Sequence, residues 1–132
     1  MTRVLFVCVH NSGRSQMAEA LFNFYTMEGQ ANSAGTQPSD RINANVLTAM
    51  KEIGIDMSNS NPKALTVDML ENAERIVTMG CNVSEMCPAS LVPTEDWQLS
   101  DPKGKSLDEV RRIRDIIKDK VKALIDELQS SE

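Results

Sequence analysis

The chain has 132 residues, enough for one domain with one buried core. Apolar residues make up 41% and aromatics only 4%, so Leu, Ile, Val, Met and Ala must fill that core. A formal charge of −5 with no basic run excludes a nucleic-acid binder.

Any anion site must therefore be local, built from backbone N–H groups and one or two cations. No stretch approaches the roughly 20 apolar residues of a membrane span. The run "VLFVCV" is too short for the apolar core of a signal peptide. We expect a single domain over 1–132, no membrane contact and a cytoplasmic location. Three cysteines is an odd count, which in a reducing compartment favours reactive or buried thiols over a disulfide framework.

In chain order, 3–9 ("RVLFVCV") is almost continuously apolar and predicts a central parallel strand. A polar loop over 10–13 follows. A helical pattern comes next, with Met17, Ala18, Leu21, Phe24 and Tyr25 at spacings of three and four. Residues 31–36 read as a second short strand ending at Gly35. Residues 43–53 predict a helix with Val46, Leu47, Met50 and Ile53 on one face and Gly54 as its stop. A turn cluster occupies 58–62, and 66–72 suits a short helix. Residues 74–80 predict a third buried strand, 81–94 a polar loop, and 95–99 ("EDWQL") a fourth strand. The clearest helix is 106–129, with Leu107, Val110, Ile113, Ile116, Ile117, Val121, Leu124, Ile125 and Leu128 apolar. Ser106 and Glu109 make a capping box at its start. Its charged residues read as a solvated face.

Strands alternating with helices predict an α/β fold: a four-stranded parallel sheet with helices on both faces. Ligands of such sheets sit beyond the carboxyl ends of the strands. Cys8 and Cys81 both fall at such ends by this reading.

The loop "CVHNSGRS" carries the chemistry. A free thiol is mostly protonated at neutral pH, with a pKa of about 8.5. A helix N-terminus, converging amides and Arg14 each favour the charged form. The same groups would hold a tetrahedral oxyanion above the sulfur, with Arg14 gripping two oxygens. The oxyanion cradle would run through Val9, His10, Asn11, Ser12, Gly13 and Arg14. Gly13 permits a turn that points amides inward. Ser15 and Ser12 can donate to the sulfur or hold the loop, and Asn11 can fix it through its amide. The bland alternative is a buried strand cysteine followed by an ordinary loop.

"VLFVCVHNSGRSQMAEALF" resembles the opening of the low-molecular-weight protein tyrosine phosphatases, and more closely that of their relatives, the thioredoxin-coupled arsenate reductases. The resemblance continues through "NSAGT", "AMKEIGIDMSN", "IVTMGC", "CP" and "EDWQLSDPKGKS". It implies a low-molecular-weight phosphatase-like fold and reduction of arsenate to arsenite through a Cys8, Cys81, Cys87 relay. Cys81 would attack the Cys8–arsenate adduct, and Cys87 would then attack Cys81 by thiolate exchange. The spacer between Cys81 and Cys87 is five residues, one shorter than in familiar members. Zinc on the three cysteines and His10 is disfavoured, because C-x5-C exceeds the usual knuckle.

The resemblance also makes Asp101 the general acid, where sequence alone would favour an Asp-Pro turn. Lys103 and Gly104 stand where the phosphatases usually place aromatics, which favours a small inorganic oxyanion. Trp97 reads as core and His10 as a loop or rim residue. Some reductases bind potassium beside the loop, with ligands matching Asn11, Glu19 and Ser33. The remaining ligand, an aspartate, falls at Lys63 here. Either the Lys63 ammonium replaces the cation and pairs with Glu19, or it is a solvated surface lysine.

The implied substrate is arsenate, with phosphate or sulfate as competing anions and no metal or organic cofactor. The implied partner is thioredoxin or a glutaredoxin, and we expect a monomer. Two alternatives stand beside this reading: a phosphatase using Cys8 and Asp101, and a non-enzymatic thiol redox sensor.

Overall fold

The structure is a computed structural model that describes residues 3–26, 30–79 and 94–130. Among these residues four strands and four helices follow the order β1 (Arg3–Cys8), α1 (Arg14–Tyr25), β2 (Gln30–Gly35), α2 (Ala44–Glu52), α3 (Val67–Asn72), β3 (Arg75–Met79), β4 (Thr94–Asp96) and α4 (Leu107–Ser130). All strand pairs are parallel, in the spatial order β2-β1-β3-β4. The expected α/β architecture is present.

Alternation along β1 divides the core into two layers. Val4, Phe6 and Cys8 face a large cluster with α1, α2 and α4. Leu5 and Val7 face a smaller one with Leu65, Leu70 and Ala73 around α3. Helices thus cover both faces. Phe6 is fully buried, edge-on to Phe22 and tilted against Trp97.

Local chemistry sets the helix ends. The Asn43 side chain caps α2 by accepting from the N–H groups of Asn45 and Val46. Gly54, just past α2, has φ of 86°, a left-handed conformation that suits glycine. At α4, Ser106 Oγ accepts the Glu109 N–H and donates to its Oε1, so the carboxylate answers the hydroxyl.

Several expectations need correction. In α1 the buried face is Met17, Ala18, Leu21 and Phe22, while Phe24 is 56% exposed and Tyr25 is exposed beside it. Ile116 is also exposed, because Ile113 and Ile117 already occupy the seam of α4. The fourth strand is Thr94–Asp96, shorter and earlier than 95–99. The Trp97 N–H still donates to Thr78 O, and Trp97 is buried as expected. The charged residues of α4 are not all a solvated face: Arg114 is buried and donates to Ala49 O and Glu52.

Candidate active site

The strand order reverses between β1 and β3, and Cys8 ends β1 at that switch point. In sheets of this kind ligands bind at that point, because the connections leave on opposite sides. The next nine residues run from the strand into the first turn of α1. Gly13 caps α1 without a side chain, and the first turn carries no acidic residue. The positive end of the helix is left for an external anion.

Cys8 is a free, buried thiol. Its Sγ lies 2.8 Å from Ser15 Oγ and accepts the Asn11 N–H at 3.2 Å. A thiolate can only accept, so in that state the Ser15 hydroxyl donates. Asn11 has φ of 51°, a left-handed conformation in a residue that is 0% exposed. That conformation costs on the order of 1 kcal/mol for a residue other than glycine.

The Asn11 side chain offsets this cost by using all four of its hydrogen-bonding positions. Its Nδ2 donates to Ser15 Oγ at 2.6 Å and to Ser33 Oγ at 3.0 Å. Its Oδ1 accepts from Gln16 Nε2 at 2.9 Å and from the Lys63 N–H at 2.8 Å. A backbone N–H can only donate, which fixes the amide orientation. At roughly 1 kcal/mol net each, these bonds outweigh the strain.

Arg14 is 6% exposed and pinned by donation to Leu99 O at 3.3 Å. Its second nitrogen is 3.8 Å from Asp101 Oδ2. Asp101 Oδ1 accepts the Lys103 N–H, and the Lys105 N–H donates to Pro102 O across Gly104 at φ of 74°. This turn commits one carboxylate oxygen and leaves Oδ2 facing the guanidinium. Pro102 packs on Gly13 so closely that a Cβ there would overlap the proline ring. Gly35 is similarly constrained, since a Cβ would lie 2.6 Å from Val9 O.

The rest of the loop is tied by its backbone. Val9 O accepts from Gln37 N, His10 O from Ser39 N, and Ser12 O from Asn43 N. His10 Nδ1 faces Gln37 O at 3.2 Å; a carbonyl can only accept, so this nitrogen donates and the ring braces the rim. The Lys63 ammonium bonds Glu19 Oε1 at 2.8 Å and Asn32 Oδ1 at 2.7 Å, and Ser33 Oγ donates to the same Glu19 oxygen at 2.9 Å. Lys63 thus pairs with Glu19 while its side chain stays 36% exposed.

The structure therefore links Cys8, Asn11, Ser15, Ser33, Glu19 and Lys63 in one hydrogen-bonded network, with Arg14 and Asp101 as a separate pair beside the loop. Cys81 and Cys87 lie outside the described residues. Gln16, Asn32 and Asn61 were missed by the sequence reading; a polar residue in a helix's first turn looks solvated, yet Gln16 is 1% exposed. No group of three or more His, Cys, Asp or Glu poised for a metal occurs among the described residues. A cavity of about 690 Å³ lies instead at the amino ends of β1 and β2, lined by Arg3, Gln30, Asp68 and Met69 among others. Of the site residues named above it is lined only by Asn32, and not by Cys8, Arg14 or Asp101.

Known proteins resemble this chain in sequence and fold. A curated arsenate reductase from Brevibacillus brevis is 37% identical, covering 90% of each chain. The Corynebacterium glutamicum thioredoxin-dependent arsenate reductase superposes with a TM-score of 0.87 at 34% identity, over all of this chain. This chain spans only 64% of that protein's length. An arginine phosphatase from Geobacillus stearothermophilus shares the fold, with a TM-score of 0.90 at 24% identity and coverage of 99% and 95%. The family of low molecular weight phosphotyrosine protein phosphatases matches residues 3–132, and the chain belongs to it, in company with arsenate reductases.

Proposed function

We propose that the chain reduces arsenate to arsenite, with Cys8 as nucleophile. What carries this reading is the hydrogen-bonded Cys8 sulfur at the uncapped start of α1, beside a pinned Arg14. The relatives' names direct it to arsenate.

Arsenate would sit on the loop amides of 9–14, with Arg14 bridging two oxygens. The Cys8 thiolate attacks arsenic, and an arsenate hydroxyl, protonated by Asp101 Oδ2, leaves as water. The Cys81 thiolate then attacks the Cys8 sulfur. The S–As electron pair stays on arsenic, which departs as arsenite, and a Cys8–Cys81 disulfide forms. Cys87 attacks Cys81, freeing Cys8 and closing Cys81–Cys87. A dithiol protein, thioredoxin or a glutaredoxin, reduces that disulfide. Phosphate and sulfate compete for the cradle. The chain acts as a cytoplasmic monomer without a resident metal or organic cofactor, and no described helix is long and apolar enough to cross a membrane.

In this reading Lys63 supplies a built-in cation. Its ammonium neutralises Glu19, which holds Ser33, which in turn supports Asn11. A phosphatase activity rests on the same cradle and on Asp101. The test is turnover of arsenate with thioredoxin and thioredoxin reductase, beside hydrolysis of p-nitrophenyl phosphate. Arsenite production that requires thioredoxin supports the reductase. Ester hydrolysis without arsenite production would replace it with the phosphatase.

A further inference from the structure

The geometry points to Gln16 as a positioning residue for the Cys8 sulfur, acting by tying the Asn11 amide to the 61–63 segment. The inference rests on Cys8 being the nucleophile, but not on the identity of the oxyanion.

Gln16 occupies the first turn of α1, one residue after Ser15, and is 1% exposed. Its Nε2 group donates twice: to Asn11 Oδ1 at 2.9 Å and to the carbonyl of Asn61 at 3.0 Å. The Asn61 segment is itself fastened to the end of β2. Gly35 N donates to Lys63 O at 2.8 Å, and Leu65 N donates to Gly35 O at 2.9 Å. A single buried amide therefore connects the oxyanion loop to chain 45 residues away.

The consequence reaches the sulfur through Asn11. With Oδ1 held by Gln16 and Lys63 N, Nδ2 must face Ser15 Oγ. That oxygen then receives a donor from Asn11, and its own proton is directed to Cys8 Sγ. Holding Asn11 left-handed also keeps its N–H on the sulfur. Such linked bonds polarise one another in a buried setting. Without the Gln16 donor, Asn11 Oδ1 keeps only the Lys63 N–H. The left-handed turn is then less strongly offset, and the thiolate loses part of the solvation that both donors give it.

The test uses a chain with Cys81→Ser and Cys87→Ser, so that Cys8 is the sole thiol. Alkylation by iodoacetamide is followed across pH, with and without Gln16→Met, which keeps the volume and removes both donors. We expect the midpoint of the profile to move up by about one pH unit, so that the rate falls by up to about tenfold at pH values below the parent midpoint, the effect of one buried hydrogen bond. Trp97, the sole tryptophan, reports folding by its emission. If the Met variant does not fold, Gln16→Glu is read instead at neutral pH, because its carboxylate presents only acceptors to the two carbonyl oxygens. In the unsubstituted protein, the Gln16 and Asn11 side-chain amide resonances should titrate together with Cys8. A folded Gln16→Met chain with an unmoved midpoint would overturn the inference, as would amide resonances indifferent to Cys8. Neither result depends on arsenate turnover, so failure of the reductase reading is distinguishable.

Discussion

Lys63 Nζ lies 2.8 Å from Glu19 Oε1, at the far end of a hydrogen-bonded chain that starts on the Cys8 sulfur. The lysine side chain is 36% exposed and the glutamate 19%, so the pair is worth less than a fully buried one. Its importance lies in direction: it holds the carboxylate that accepts from Ser33. Lys63→Met should lower Cys8 alkylation at pH 7 about threefold while leaving the chain folded. Rates for the unsubstituted protein should be equal in potassium and sodium salts of the same ionic strength. A strong rise specific to potassium would contradict a built-in cation.

Gly13→Ala tests the contact between the oxyanion loop and Pro102. The new Cβ would overlap the Pro102 ring, and the side chain of Val46 lies 3.6 Å away on another side. The loop bearing Asp101 must shift to admit it. Overpacking of this kind costs about 1–3 kcal/mol. Thermal unfolding should move down, and phosphate inhibition should weaken about tenfold, because Arg14 and the amides no longer converge. An unchanged inhibition constant would show that the Pro102 contact does not register the loop.

Asp101→Asn keeps the acceptor for Lys103 N–H and removes the acid. The turn should persist, with unchanged unfolding. Hydrolysis of p-nitrophenyl phosphate should fall about a hundredfold or more, in line with loss of general acid catalysis. A fall of less than about threefold would reassign Asp101 to turn formation alone.

How much of this was legible before the structure differs from element to element. β1 and α4 were legible because their apolar patterns are long, and the residues around Cys8 because a strand, a glycine-containing loop and a helix start form an anion site. Phe24 and Tyr25 were misplaced: the α1 face is completed by Phe22, while their rings pack on each other and Lys122 lies over the Tyr25 ring. Gln16 and Asn32 carry no pattern that separates a buried amide from a surface one. Their partners, Asn61 and Lys63, are distant in sequence. Arg114 was hidden similarly, among the charges that make α4 look solvated on that side.

The clamp between α2 and α4 gives a pH dependence. Glu52 accepts from Arg111 and Arg114. Hydrogen bonding from Arg111 first, then Arg114, holds its carboxyl below the ordinary value of 4.5. The Arg111 guanidinium is raised in turn, by Glu52 first, and stays charged at all working pH. A carboxyl depressed in the folded state stabilises fully above its unfolded pKa and loses that contribution as pH falls through the folded value. Urea midpoints of the parent and Glu52→Gln, followed by Trp97 emission, should differ most at pH 6–7. The gap should close below about pH 4. A gap that is constant with pH would mean that the charge of Glu52 contributes nothing.

At the sheet edge, Asn23 accepts the N–H of Ala31 and donates to its carbonyl. One side chain thereby occupies outward groups of β2 that could pair with another chain. Asn23→Ala should increase self-association at high concentration by sedimentation, with catalytic parameters unchanged in dilute solution. A chain that stays as monodisperse as its parent would show that the edge is protected by other means.

In the proposed reaction the electrons for arsenate come from the chain's own cysteines. Reduced protein, freed of external thiols, should be mixed with arsenate, with phosphate as control, and its thiols counted and mapped. Two thiols should be lost with arsenate alone, mapping finally to Cys81–Cys87 with Cys8 free. Three thiols surviving arsenate would contradict that reaction.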